Sequence, residues 1–551
     1  MSDPCNIAAA LPRLARERPD QVAMRCPGAG GRYEVALTYA QLDARSDAIA
    51  AGLAGRGIRR GTRTVVMVRP TPAFFLLMFA LFKAGAVPVL VDPGIDRRAL
   101  RQCLDEARPE AFIGIPLALL AKALLGWASA ATVRITTGRW PLLADATLAR
   151  IEADGAGAGP QLAATDGEDV AAILFTSGST GVPKGVVYRH RHFVAQIRML
   201  GEAFGIAPGG IDFPTFPPFA LFDPALGLTS IIPDMDPTRP AQADPRKLHA
   251  AIQRFGVTQL FGSPALMGVL AAHGEKLPGV QRVTSAGAPV PPAVVRRMLE
   301  LLPADAQLWT PYGATECLPV AVIEGRELLT LRGRTEAGAG TCVGRPVAGN
   351  TVRIIHIDDG AIPDWHDGLQ VAPGQVGEIT VAGPSATDAY FNRDAQTALA
   401  KIRETLSDGG TRIVHRMGDL GWFDGEGRLW FCGRKSQRVV VDAQATLCTE
   451  QVEPVFNAHP QVRRTALVGV GPAGAQRPVL CVELQAGTRA REWPRIAGEL
   501  RHLADGFVHT AKIERFLRYP GQFPVDIRHN AKIGREKLAA WAAKQPARDE
   551  A

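Results

Sequence analysis

From about residue 35 the chain alternates short β-branched runs with longer helix-like stretches, and this rhythm constrains its fold more than any other feature. "RTVVMV" (63–68) reads as a strand and "PAFFLLMFALFKAG" (72–85) as a helix closing at a glycine. "AVPVLVD" (86–92) is again a strand, and "RRALRQCLDEA" (97–107) again a helix. Such alternation predicts parallel sheets flanked by helices, and it recurs at "GVTQLFGSP" (256–264) and "VQRVTSAGAPV" (280–290). Beyond about 340 the texture changes. "TVRIIHI", "GEITVAG" and "GRLWFCGR" are short runs divided by Gly, Asp and Pro, the pattern of antiparallel β structure. From Arg434 the alternation resumes, through "QRVVVD", "TEQVEPVFNAHP", "RTALVGV" and "PVLCVEL". A compact α+β unit of about a hundred residues is expected there. The expected division is 1–433 and 434–551, with the boundary near 433–435. "DGAGAGPQLAATDGED" (154–169) reads as a surface loop.

At 551 residues the chain is too long for one simple core. With 46% hydrophobic and 21% charged residues its composition is that of a soluble globular protein. A net charge of +8 suits an anionic ligand, but no dense Lys/Arg run or RNA or DNA motif points to nucleic acid. The eight cysteines are scattered without a C-x-x-C pair, which suggests neither zinc nor a disulfide framework and fits a reducing cytoplasm. The N-terminus lacks the apolar core of a signal peptide. "AFFLLMFALF" (73–82) is too short to span a bilayer and ends at Lys83. The longer run at 111–133 is interrupted by Pro116 and Lys122. It reads as a buried strand and then a helix, or as an apolar flap that touches membrane or a greasy substrate.

The stretch "FTSGSTGVPKG" (175–185) follows the apolar run "VAAIL". Its glycines allow tight turns that bring backbone N–H groups to a ligand. Thr176, Ser177, Ser179 and Thr180 add hydroxyls and Lys184 adds a cation, with Gly178 and Gly181 between them. The loop is suited to phosphate, yet its spacing is not G-x-x-x-x-G-K-[ST].

This segment resembles the phosphate-loop signature of the adenylate-forming superfamily, which comprises acyl-CoA synthetases, luciferases and peptide-synthetase adenylation domains. Other segments resemble that superfamily in the same order. "SAGAPV" (285–290), with Gly287, Ala288 and Pro289, is similar to its adenine-side turn. "PYGATE" (311–316) is similar to its Tyr-Gly-x-Thr-Glu signature, with Tyr312, Gly313, Thr315 and Glu316. "HRMGDLGWFDGEGRLWFCGR" resembles the approach to the hinge, with Asp419 in the ribose position and Arg434 close by. "FPVDIRHNAKIGREKL" resembles the C-terminal lysine motif, with Lys532 as its lysine. The resemblance implies an α/β fold. Its large N-terminal domain has parallel and mixed sheets flanked by helices plus a distorted β-barrel, and its small C-terminal α+β domain is mobile. It further implies ATP and Mg²⁺ as cofactors. Lys532 would bridge carboxylate and α-phosphate, Glu316 and Thr176 would hold the metal, and Lys184 with the loop would steady pyrophosphate. Tyr312 would offer a face to adenine, and Asp419 would accept from the ribose hydroxyls.

The superfamily differs in what attacks the acyl adenylate. Its CoA ligases carry a glycine in the hinge loop, whereas here no glycine lies between Gly433 and Gly469. At 217–220 the chain has Pro-Pro-Phe-Ala where Pro-x-Phe-His is common, inside a Pro-, Phe- and Leu-rich stretch (213–241) that suits an apolar acyl pocket. Together these features resemble the β-lactone synthetases of bacterial long-chain olefin biosynthesis. That resemblance implies a long-chain 2-alkyl-3-hydroxyalkanoic acid as substrate, attack by its own β-hydroxyl, and a multi-enzyme olefin assembly. The general base stays open between His190, in "YRHRH", and the AMP phosphate. Three alternatives remain: a long-chain fatty acyl-CoA ligase, a stand-alone enzyme that loads a carrier protein, and a silent nucleotide-binding scaffold.

Overall fold

A computed structural model describes residues 5–92, 94–176, 183–525 and 533–546. The alternating N-terminal stretch forms a seven-stranded sheet. Its strands lie in the order Ala146–Thr147, Val133–Thr136, Ala111–Gly114, Arg63–Met67, Val87–Val91, Val170–Thr176 and Lys184–Arg189. All pairings are parallel except the last. Helix Pro72–Lys83 is buried almost throughout, because its run of Phe and Leu packs between this sheet and the surrounding helices. The chain leaves it through Gly85 in the left-handed region (φ 67°), a conformation costly for residues with a Cβ. Lys83 Nζ is buried and lies 2.6 Å from both Asp43 and Asp47, so the charge that ends the apolar run is paired rather than solvated.

A second sheet of fourteen strands has Val35–Thr38 at one edge, antiparallel to Val22–Cys26, and then six parallel-paired strands: Val22–Cys26, Thr229–Ile231, Ile211–Pro214, Gln259–Gly262, Arg282–Ser285 and Gln307–Ala314. From Gln307–Ala314 it turns antiparallel, through Cys317–Glu324, Thr341–Pro346, Leu429–Arg434, Thr411–Phe423, Gly377–Ala382 and Thr351–Ile355. The change of pattern expected near 340 is thus a change of pairing inside one continuous sheet. After Arg434 a three-stranded sheet (Val462–Val470, Arg477–Leu484, Arg515–Arg518) carries helices Thr449–Asn457, Trp493–Asp505 and Arg535–Ala542 around its own apolar core.

The run at 111–133 gives a buried strand, Ala111–Gly114, and a helix, Pro116–Leu125. Proline at the first turn and Gly126 at the C-terminal end delimit that helix as their conformational preferences dictate. Only Leu119 of the helix is buried.

Candidate active site

The candidate site lies where the two large sheets present strand ends to one another. Strand Val170–Thr176 leads into the glycine and hydroxyl loop, and the return strand begins at Lys184, whose backbone pairs with Thr176. Ser177, Gly178, Ser179, Thr180 and Gly181 lie outside the described residues, and so does Lys532. The structure therefore positions both ends of the loop: the backbone of Thr176, and Lys184 with its side chain. Lys184 Nζ lies 4.9 Å from the centre of the Tyr390 ring, a cation–π distance.

Tyr390 connects the loop to Glu316. Its hydroxyl donates to Glu316 Oε1 at 2.7 Å. Glu316 sits in the tight turn between Gln307–Ala314 and Cys317–Glu324, where Ala314 pairs with Cys317. Thr387 fixes that turn, its N–H and Oγ1 both donating to Glu316 O at 2.8 and 3.0 Å. Tyr188 Oη donates to Thr315 O. Gly313 is required by space, since a Cβ there would stand 2.9 Å from Cys317 O and 3.0 Å from Leu318 Cβ. Burial and the adjacent Glu316 push the Tyr390 phenol far above its ordinary value, so it acts as a hydrogen-bond donor at any working pH.

Beside the same turn, two residues before the end of strand Gln307–Ala314, Tyr312 Oη donates to Asp419 Oδ2 at 2.6 Å. Asp419 and Arg434 face one another on antiparallel strands, with Arg434 Nη1 3.0 Å from Asp419 Oδ1. That nitrogen also donates to Met417 O at 3.3 Å. Oδ1 is buried and, despite its ion-pair neighbour, takes no well-formed hydrogen bond. A buried acceptor without a donor is costly, and a hydroxyl brought by a ligand would satisfy it. Burial raises the Asp419 carboxyl above its ordinary value while Arg434 pulls it back down. Strand Arg282–Ser285 runs parallel to Gln307–Ala314, so the turn that follows, with Gly287 (φ 100°), Ala288 and Pro289, leaves the sheet on the side of Tyr312. These are surroundings suited to an adenosine: a phenol face, a glycine turn and a carboxylate oxygen that lacks a donor. Glu316 keeps Oε2 free of hydrogen bonds among the described residues, and a carboxylate oxygen suits Mg²⁺.

His190 is not brought to this site. The return strand Lys184–Arg189 runs antiparallel and carries His190 to the opposite end of the sheet, roughly 20 Å along the strand from Lys184. There His190 is fully buried, its Nδ1 accepts from Ile7 N at 3.3 Å, and burial pushes it down to about 4. It stays neutral and packs the N-terminal segment. This corrects its candidacy as a base for ring closure.

The structure adds a residue that carries no sequence signal. Lys401 opens strand Lys401–Thr405 with its side chain buried, donating to Thr387 O and, at 3.3 Å, to Thr387 Oγ1. Burial lowers it to about 8, against the opposing charge of Glu316. The stretch expected to line an acyl pocket is aromatic. Phe219 packs edge-on to Phe261 (4.6 Å between ring centres) and beside Phe216 (5.1 Å), within the stretch that replaces Pro-x-Phe-His. At the expected boundary near 433–435, Lys435 Nζ donates to Asp358 O at 2.7 Å and lies 3.0 Å from Glu378 Oε2. Asp442, Ala443 and Gln444 occupy the tip of the hairpin formed by Val439–Val440 and Thr446–Leu447.

A profile of the AMP-binding enzyme family matches residues 11–391. The chain is 70% identical over 550 residues to the olefin beta-lactone synthetase of Xanthomonas campestris pv. campestris, covering 99% of each chain. It is 70% identical over 549 residues to the olefin beta-lactone synthetase of Stenotrophomonas maltophilia, covering 98% of this chain and 99% of the other. Among solved structures, the amide bond synthetase McbA of Marinactinospora thermotolerans has the same fold. The TM-score is 0.75 at 24% identity, over 97% of this chain and 99% of the other.

Proposed function

The chain belongs to the AMP-binding enzyme family, and we propose that within it the chain is an ATP-dependent olefin β-lactone synthetase. One observation carries this reading: the 70% identity, extending over nearly the whole length, to chains of that name. The substrate is a long-chain 2-alkyl-3-hydroxyalkanoic acid. In the first step a carboxylate oxygen attacks the α-phosphorus of ATP, the bond to the bridging oxygen breaks, and pyrophosphate leaves. In the second, the substrate's own β-hydroxyl oxygen attacks the acyl carbon. The four-membered ring closes, the bond to the phosphate oxygen breaks, AMP departs, and the hydroxyl proton is lost.

Asp419 accepts from the ribose hydroxyls through the oxygen that lacks a donor, and Tyr312 and Arg434 hold that carboxylate still. Lys184 stands at the phosphate end, at the close of the glycine loop, and Lys532 bridges carboxylate and α-phosphate as charge develops. Glu316 and Thr176 hold Mg²⁺, which when bound supplies charge neutralisation for the departing pyrophosphate. The half-buried ring cluster of Phe216, Phe219 and Phe261 suits an apolar substrate, and a dry pocket protects the adenylate from water. Holding hydroxyl and carbonyl in a near-attack pose supplies much of the rate. With His190 at the far end of the sheet, the AMP phosphate is the base this reading retains. The side chains at the hinge hairpin tip, where CoA ligases of the superfamily carry glycine, favour ring closure over thioester formation. The division near 433–435 serves as the hinge of a small lid, and the free, mostly buried cysteines suit a cytoplasmic enzyme. A multi-enzyme olefin assembly is the setting this reading implies.

The test is an incubation with ATP, Mg²⁺ and a 2-alkyl-3-hydroxy acid, with and without CoA, followed by proton NMR. The lactone ring protons should appear in both arms with AMP in equal amount. A thioester formed only with CoA would overturn the reading. Lys532→Ala should lose nearly all AMP formation while keeping measurable ATP binding.

A further inference from the structure

Helix Pro116–Leu125 and the loop that follows strand Val133–Thr136 expose an unusual amount of apolar side chain. Leu124 is 74% exposed, Trp140 73%, Leu142 70% and Leu117 66%, with Leu120, Leu125 and Leu143 each more than two-fifths exposed. The two segments touch: a Cβ on Gly138 would stand 2.6 Å from Pro116 Cγ. Isolated exposed leucines need no explanation, but seven exposed large apolar side chains on two touching segments do. The helix is also too short and the chain too interrupted for a span; among the described residues no helix is long and apolar enough to cross a membrane.

Within the segment itself the charge has one sign. Between Glu110 and Asp145 there is no acidic residue, and the only charges are Lys122, Arg134 and Arg139. Lys122 is spent on the carbonyls of Trp127 and Ala128, and Arg134 pairs with Asp145 at 2.7 Å. Arg139, next to Trp140, makes no hydrogen bond or ion pair among the described residues. The neighbouring helix Arg97–Ala107 packs into the same apolar cluster as Leu119, so both helices cover one face of the sheet. Both helices follow parallel strands and so begin at the same sheet edge. Arg97 and Arg98 stand exposed there, and the acid beside them, Asp96, is taken up capping Arg98 N and Ala99 N. On that helix Asp105 pairs with Arg101 and Glu106 with Arg393, which leaves Arg97, Arg98 and Arg139 as cations without a carboxylate partner among the described residues. Leucines, a tryptophan and these arginines match an interfacial membrane surface, where apolar groups enter the acyl boundary and cations meet phosphate.

We propose that this corner is a docking surface for an anionic phospholipid bilayer. It lies at the strand edge from which Thr176 enters the glycine loop. Ala111–Gly114 is separated from Val170–Thr176 by two strands, so the patch begins roughly 14 Å across the sheet from the loop. A chain docked in this way faces the membrane with the edge that carries its site. That geometry favours capture of a two-chained acid that partitions into lipid, a consequence that rests on the β-lactone reading. The docking itself does not.

The experiment is vesicle flotation of the purified full chain without ATP or acid, so its failure leaves the reading of the reaction untouched. The vesicles are phosphatidylethanolamine with phosphatidylglycerol, or phosphatidylcholine alone. The chain should float with the anionic vesicles, less so as salt rises, and much less with the neutral ones. Arg139→Ala should weaken partitioning about fivefold, the worth of one cation at an anionic surface. Leu124→Glu with Trp140→Glu should nearly abolish it, while the melting temperature and ATP–pyrophosphate exchange stay at wild-type values. Brominated lipid should quench part of the tryptophan emission of the wild type, and that part should vanish in Trp140→Leu, which keeps an apolar side chain. Absence of flotation with anionic vesicles would overturn the proposal, as would flotation indifferent to these substitutions. If the double substitution instead dissolved a self-associated or protein-bound form that never floats, the patch would be a protein interface and the bilayer excluded.

Discussion

The Tyr390 hydroxyl donates to Glu316 Oε1 at 2.7 Å, while the ring of the same tyrosine lies under the Lys184 ammonium. One side chain thus orients the carboxylate assigned to the metal and the cation assigned to the phosphates. Tyr390→Phe keeps the ring and removes only the hydrogen bond. A hydrogen bond to a charged group is worth about 1.5–3 kcal/mol. The variant should therefore lose roughly 10- to 100-fold in kcat/KM for adenylation, and a higher Mg²⁺ concentration should recover part of the loss. Pyrophosphate exchange measured against Mg²⁺ checks this. Wild-type exchange in Tyr390→Phe would remove Tyr390 from the site.

Asp419 Oδ1 is buried without a well-formed hydrogen bond, so its role is testable with nucleotides that lack the donor. For the wild type, 2′-deoxy- or 3′-deoxy-ATP should bind about tenfold more weakly than ATP, since the oxygen again goes unpaired. Asp419→Asn should weaken ATP by a similar factor and erase most of the discrimination between ATP and the deoxy analogue. A double-mutant cycle on KM separates this pairing from general damage. Equal discrimination in wild type and variant would refute the contact.

Much of this arrangement was legible in the sequence, and what was not has identifiable causes. The strands at 63–67, 87–91 and 170–176 follow from dense β-branched runs, and Tyr312, Glu316, Asp419 and Arg434 come together because each belongs to a motif with fixed spacing. Tyr390 lies in "GEITVAGPSATDAYFN", a stretch similar to the superfamily's approach to the hinge, but its role, like that of Lys401, depends on contacts with Glu316 and Thr387 made across the fold. His190 stands close to the phosphate loop in sequence, but an antiparallel return strand carries it to the far end of the sheet. The apolar helix 116–125 shows the same limit in reverse. Its composition predicts burial, yet only Leu119 finds a core to enter.

Lys401 offers a test in which stability and activity move in opposite directions. Burial lowers its ammonium to about 8, so the folded protein binds fewer protons there than the unfolded chain between about pH 8 and the ordinary lysine value. The penalty of holding a buried charge is complete below pH 8 and fades as pH rises through that window. Lys401→Met should therefore melt at a higher temperature than wild type at pH 7, with the gain shrinking by pH 10. If the lysine balances Glu316, AMP formation should fall about tenfold or more in the same variant, as when stability is given up for a charged site. Thermal melts at several pH values, paired with exchange rates, read both effects. Lower stability with full activity would assign Lys401 to structure alone.

The last prediction concerns two carboxyls remote from any described ligand contact. Asp212, on strand Ile211–Pro214, and Asp223, which opens a short helix, are both buried, and the Ser230 hydroxyl donates to Asp223 Oδ2. Burial first, and then the charge of Asp212, push Asp223 well above the ordinary range, and burial pushes Asp212 up to about 7, with Arg282 opposing. A carboxyl raised in the folded state binds its proton more tightly there than in the unfolded chain. Its contribution to stability is whole below the ordinary carboxylate value and is lost as pH rises toward and through about 7. The loss amounts to about 1.4 kcal/mol per pH unit for each such group inside the window. Asp212→Asn mimics the protonated form and can donate to Asp223, so it should match wild type near pH 4 and exceed it in stability at pH 8. Denaturant midpoints across that range measure the difference. A constant offset at every pH would show that the pair does not titrate in this window.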